Sequence, residues 1–234
     1  MYILISGQDT YRSREHLKKM VKAFQEKRDP QNMNVACFDC QKEGAEKLWG
    51  QMGTAPFLAE KRMVVIRGAL EHYKKEVHDA LLEKLEAGAY ASTTVLVFVE
   101  DKDEFKKNDL FKFLKKQEYS QEFPLLKEYQ REAWLKQEAA ARKRSITTRA
   151  ARMISDTTEE TWQLAHILDQ VLAYSSSGEV QREHVEPFIE APLDDNIFNF
   201  TDALAAGNTK RALELFSDQR RAGANEFYLL TMIT

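Results

Sequence analysis

Two hydrophobic periodicities alternate along the first 125 residues. Apolar runs such as Met63-Val64-Val65-Ile66 and Val95-Leu96-Val97-Phe98-Val99 predict strands covered on both faces. They place strands at Tyr2–Ser6, Asn34–Asp39, Arg62–Arg67 and Thr93–Glu100, with a weak candidate at Tyr119–Phe123. Between them, helical spacing predicts Thr10–Lys27, Gly44–Gln51, Ala69–Leu85 and Glu104–Lys116. Strands alternating with helices imply an α/β fold, a parallel sheet flanked by helices.

From Pro124 onward no strand signal remains. Leu126–Lys143 and Thr147–Ser155 read as helices, and Thr157 with Glu160 reads as a capping box opening a helix to about Tyr174. Ser175-Ser176-Ser177-Gly178 is a loop before a short helix at Gln181–Ile189. Asp195–Ala206 leads to Gly207, and Asn208 then caps Thr209–Ala222. Gly223 ends that helix, and one starting at Asn225 is still apolar at Thr234, the pattern expected of a truncated chain. The predicted organisation is an α/β domain over 1–125, a small all-helical domain over 126–192, and further helices over 193–234.

At 234 residues and 43% hydrophobic content the chain can bury a sizeable core. Its charges nearly cancel, to −3, so the surface as a whole attracts neither nucleic acid nor membrane strongly. No apolar run approaches the ~20 residues of a membrane span, and the chain opens on a strand rather than a signal peptide. Two cysteines make no disulfide framework. A cytoplasmic protein is expected.

The opening strand, turn and helix form the usual setting of a P-loop, whose backbone N–H groups and lysine cradle phosphates. Here the turn Ser6-Gly7-Gln8-Asp9 is short, has one glycine, and puts Asp9 where a phosphate would sit. Val95–Val99 followed by Glu100 and Asp101 has the outline of a Walker B strand. With no phosphate cradle before it, the acidic run Glu100, Asp101, Asp103 and Glu104 reads instead as a solvated loop leading into a helix. Cys37 and Cys40 have CxxC spacing without a second pair and read as buried small hydrophobes facing opposite sides of a strand. His16, His72, His78, His166 and His184 fall in no ligand spacing, and no serine sits in a nucleophile elbow. No catalytic residue, cofactor site or metal site is expected.

Two stretches remain. Arg131–Ser155 carries seven basic residues against two acids, and Arg142, Lys143, Arg144 and Arg149 are the candidates to face a phosphate backbone. A solvated helical face that merely runs basic accounts for them equally well. In Ala55-Pro56-Phe57-Leu58-Ala59-Glu60-Lys61-Arg62, two large apolar residues follow a proline in a turn. Pointing inward, Phe57 and Leu58 would be core, the commoner case on composition alone; pointing outward, they would form a hydrophobic wedge.

With these residues laid out, the chain resembles the delta subunit family of the bacterial DNA polymerase III clamp loader. The likeness rests on Leu4-Ile5-Ser6-Gly7-Gln8-Asp9, on Pro56 through Ile66, and on Phe200 through Leu213, in that order and spacing. It implies an AAA+-like, P-loop-NTPase-type fold without a working ATP site, followed by a lid-like helical domain and the start of a helical collar. Phe57 and Leu58 match the family's clamp-opening hydrophobic pair, so the resemblance favours their exposure. It further implies the sliding clamp (beta), the gamma/tau and delta prime subunits through the collar, and primed DNA as partners, in a bacterial, nucleoid-associated setting with no membrane. Family members usually carry a stretch before the first strand, and the collar here stops after about two helices, so poor assembly with other subunits is expected. An active AAA+ NTPase, with Glu100 and Asp101 at a metal, and a sequence-independent nucleic-acid-binding helical module stand as the alternatives.

Overall fold

The computed structural model describes residues 1–90, 92–102, 104–176, 178–189 and 193–221. The chain forms two compact units, Met1–Lys127 with Glu160–Trp162, and Glu128–Glu159 with Gln163–Thr234. The first unit runs β1 (Tyr2–Ser6), α1 (Thr10–Arg28), β2 (Val35–Asp39), α2 (Ala45–Gly53), β3 (Arg62–Arg67), α3 (Ala69–His72), α4 (Lys75–Glu86), β4 (Thr94–Glu100), a 3-10 turn (Glu104–Lys107), α5 (Asp109–Lys115) and β5 (Gln121–Glu122). Its five strands form one wholly parallel sheet in the order β2-β3-β4-β1-β5.

Alternation along each strand divides the core in two. Tyr2, Leu4, Val64, Ile66, Leu96 and Phe98 point to one face, where α2, α3, α4 and α5 add Leu48, Met52, Leu70, Leu81, Leu85, Leu110, Phe111 and Leu114. Ile3, Ile5, Met63, Val65, Val95, Val97 and Val99 point to the other, covered by Leu17 and Phe24 of α1 and by Phe123. Val97 stands opposite Ile3 on one side and Val65 on the other. Burial on both faces is why these strands read as unbroken apolar runs.

The stretch expected as one helix over Ala69–Leu85 is two. Tyr73 and Lys74 are extended (ψ 153° and 164°), and the Tyr73 hydroxyl donates to the Glu43 carbonyl at 2.8 Å. Glu104–Lys116 divides likewise, because the Asn108 side chain accepts the Phe111 N–H and begins α5 afresh. The weak strand over Tyr119–Phe123 shrinks to two residues.

The acidic run does not begin as a solvated loop. Glu100 is 1% exposed, and its Oε1 accepts the Leu70 N–H at 3.1 Å, at the first turn of α3. Burial pushes its carboxyl up to about 8, against the pull of backbone N–H groups of Leu70 and Ala69. Asp101 does reach solvent and pairs with Arg14 at 2.6 Å, while Asp103 lies outside the described residues.

The second unit contains α6 (Glu128–Ala141), β6 (Ser145–Ile146), α7 (Thr148–Ser155), most of α8 (Thr161–Tyr174), β7 (Glu179–Val180), α9 (Arg182–Val185), a 3-10 turn (Glu186–Phe188), α10 (Leu193–Ala205) and α11 (Thr209–Arg221). Among its described residues the only strands form a two-residue parallel ladder, Ser145 opposite Glu179 and Ile146 opposite Val180. A ladder that short carries no readable periodicity. Thr157 does not open the next helix as expected. Its hydroxyl donates back to the Ile154 carbonyl at 2.8 Å, closing α7, and α8 starts at Thr161. Phe200, Ala203, Ala212 and Leu215 pack α10 against α11. The helix expected from Asn225 to Thr234 lies outside the described residues.

Two outcomes are expected. A Cβ on Gly7 (φ 125°) would lie 2.2 Å from the Phe123 carbonyl oxygen, so Gly7→Ala should cost about 3 kcal/mol or more and lower the melting temperature by roughly 10 °C. For Glu100, the native carboxyl holds its proton to a higher pH than the unfolded one. Wild-type stability should therefore fall as pH rises from 4.5 to about 8 and level off beyond. Glu100→Gln, which keeps the acceptor for Leu70, should gain on wild type across that window. A melting-temperature difference that stays constant from pH 4.5 to 8 would contradict this.

Candidate functional site

In a wholly parallel sheet every strand starts at one rim and ends at the other, so the loops fall into two groups. The carboxyl rim carries the turn that would hold phosphate in a P-loop protein. Three amides in and just after that turn are already taken. Gly7 N–H donates to the Glu100 carbonyl at 3.1 Å, Asp9 N–H to the Phe123 carbonyl at 3.0 Å, and Thr10 N–H to the Gln8 carbonyl at 3.0 Å. Asp9 itself is 1% exposed. Its Oδ1 accepts the Arg12 N–H at 3.1 Å and the Thr161 hydroxyl at 2.6 Å, and its Oδ2 meets the Arg12 guanidinium at 3.3 Å. A buried anion thus serves as the N-cap of α1 and occupies the position of a phosphate. Glu100, at the Walker B position, is spent on α3. Beside it a cleft of about 180 Å³ is lined by Arg14, Asp39, Arg67, Glu71 and Asp101, but four of these charges are paired, Arg14 with Asp101, Glu71 with Lys102 and Asp39 with Lys42. These residues do not fit a nucleotide triphosphate or its metal.

The amino rim holds the wedge. Phe57 and Leu58 lie in the connection from α2 to β3, and they are 58% and 82% exposed. They belong to neither core cluster. The connection is anchored at one point: Phe57 N–H donates to Asn34 Oδ1 at 2.6 Å, and Asn34 Nδ2 donates back to the Phe57 carbonyl at 2.9 Å. Asn34 is held in turn by Asp29, the residue at the end of α1. Asp29 accepts from Asn34 Nδ2 at 3.0 Å, from Asn34 N–H at 2.8 Å and from Met33 N–H at 3.1 Å. Burial opposes the charge on Asp29, yet the donors from Asn34 and Met33 hold its carboxyl below the usual carboxylate range. Arg28 and Glu60 add an exposed ion pair at 3.0 Å across the same two segments. The next residue, Leu58, has φ 51°, a left-handed conformation that costs a branched residue about 1–2 kcal/mol. The proline marked the turn in the sequence. Asn34 and Asp29 were not among the candidates, because a side-chain bond to a backbone 23 residues away leaves no local pattern.

The basic candidates separate. Arg142 binds Asp169 at 2.7 Å and Glu138 at 2.6 Å. Arg144 donates to the Leu172 carbonyl at 3.1 Å and to the Ser175 carbonyl and hydroxyl, closing the end of α8. Lys143 and Arg149 are exposed. Of the cysteines, Cys40 is buried and its thiol is pushed up to about 12 by that burial; Cys37, expected to be buried, is exposed on the edge strand β2. Among the described residues no three of His, Cys, Asp and Glu gather as a metal site, and no helix is long and apolar enough to cross a membrane.

No protein of curated function matches the sequence. Among solved structures, the chain is similar to the Bacillus subtilis DNA clamp loader delta protein (YqeN), with a TM-score of 0.63 at 19% identity, over 99% of this chain and 70% of that one. It is also similar to the Thermotoga maritima RuvB Holliday junction branch migration motor, with a TM-score of 0.55 at 11% identity, over 91% of this chain and 74% of that one. Domain III of the Thermotoga maritima replication initiation protein DnaA gives 0.50 at 12% identity, over 81% and 85%. At such identities the shared property is the fold, the AAA+-like parallel sheet flanked by helices. The sequence profile described as DNA polymerase III, delta subunit, matches residues 2–123, a span that takes in the whole sheet, the sealed turn and the wedge. The chain belongs to the DNA polymerase III delta subunit family.

Proposed function

We propose that this chain is the clamp-loader subunit that grips the sliding clamp through Phe57 and Leu58 and stabilises its opened form for loading onto primed DNA. The observation that carries the reading is the exposure of both side chains, at 58% and 82%, on a connection tied down by buried groups. Two solvent-facing apolar residues on an ordered mount have the character of interface anchors. Seating each in a pocket supplies about 1.5–3 kcal/mol. Opening a ring requires preferential affinity for the open state, and the subunit shifts the clamp only by that difference.

The subunit does this without hydrolysing ATP. The saturated amides around Gly7 and the buried Asp9 support that reading, as does the commitment of Glu100 to α3. ATP bound by neighbouring gamma/tau motor subunits governs when the wedge is available, and α10 and α11 begin the collar that joins them and delta prime. Lys143 and Arg149 are the residues left to face DNA, since Arg142 and Arg144 are engaged within the chain. The setting is the bacterial cytoplasm, at the nucleoid.

Phe57→Ala with Leu58→Ala should weaken clamp binding by calorimetry at least ~100-fold, about 2.7 kcal/mol, with an unchanged circular dichroism spectrum. Undiminished affinity in that double variant refutes the assignment. Equilibrium dialysis at millimolar ATP should show no binding; saturable uptake would return the chain to the active NTPases.

A further inference from the structure

We infer that Asn34 is the positioning residue of the wedge, holding Phe57 and Leu58 in their binding conformation before the clamp arrives. This inference rests on the assignment of those two side chains as clamp anchors. Three observations carry it.

The first is the completeness of the clasp. One carboxamide satisfies both backbone polar groups of Phe57, at 2.6 and 2.9 Å, so residue 57 is fixed as a ladder would fix it although no strand runs beside it. The second is its direction. Asn34 Nδ2 faces two acceptors, Asp29 Oδ1 and the Phe57 carbonyl, while Oδ1 faces a donor. A flipped amide would set oxygen against both acceptors, so the network admits one orientation. The third is its foundation. Asn34 and Asp29 are 3% and 2% exposed, in contrast to the anchors they serve. The Asn34 carbonyl also accepts the Met63 N–H at 2.8 Å, which ties the clasp to the start of β3.

An exposed apolar pair on an untied loop would have to be ordered at the moment of contact. Rigid mounting removes that loss and lets Leu58 keep a left-handed backbone in solution. Asp29 acts one step further back. Its carboxylate fixes the amide that fixes the tip.

Hydrogen exchange and clamp titration on the full chain test this together. In wild type the Phe57 amide should be protected. In Asn34→Ala it should exchange at least ~100-fold faster while Met63–Arg67 stays protected, and affinity for the cognate clamp should fall about tenfold, or about 1.4 kcal/mol. The loss should shrink when Leu58→Ala is already present, because the two residues act through one contact. Faster exchange with unchanged affinity overturns the inference, as does an equal loss in both backgrounds. If Asn34→Ala also loses protection along β3, the milder Asp29→Asn decides: faster Phe57 exchange with a loss of about threefold supports positioning, and either change without the other refutes it. Failure of the anchor assignment would look different. There the Phe57→Ala, Leu58→Ala variant itself binds like wild type.

Discussion

The structure depends on a parallel sheet buried on both faces. β3, β4 and β1 bury both sets of side chains, so their polar groups surface only where strands begin or end. Any site on this unit must sit at one rim or the other. The rims differ in how their backbone groups are satisfied. At the carboxyl rim, turn amides are consumed by neighbouring carbonyls and a buried aspartate. At the amino rim, a side-chain amide substitutes for a strand and leaves two apolar groups in water.

Burial and the supply of donors together account for the electrostatics. Asp9 and Asp29 are both buried carboxylates at the ends of one helix, and each is met by several donors. Glu100 has backbone donors on one side only, and its Oε2 finds no hydrogen-bond partner. Its carboxyl therefore moves upward, while the well-supplied Asp29 moves downward.

What the sequence made legible follows from which forces act locally. The continuous runs at Met63–Ile66 and Val95–Val99 could only be strands covered twice, and their registers agree. Asp9 was readable as an occupant of the phosphate position because capping acts over three residues. The break at Tyr73 was not readable, since a hydroxyl bond to Glu43, 30 residues away, stabilises it. Asn108 could have been found, because Asn before an acidic first turn is a cap signal. Composition alone favoured an inward Phe57 and Leu58. The structure leaves both exposed on a connection whose backbone bonds to Asn34, a partner distant in sequence.

α1 spans the depth of the sheet, from the Asp9 cap to the Asp29 end, about 28 Å for its 19 residues. Helix geometry thus separates the turn at Asp9 from the Asp29 end, on which the Phe57 connection is mounted. The two ends are too far apart for one side chain to touch both, so each rim can be altered without direct contact with the other. The two ends of one helix therefore border opposite chemistries, a buried anion at one and water-facing apolar side chains beside the other.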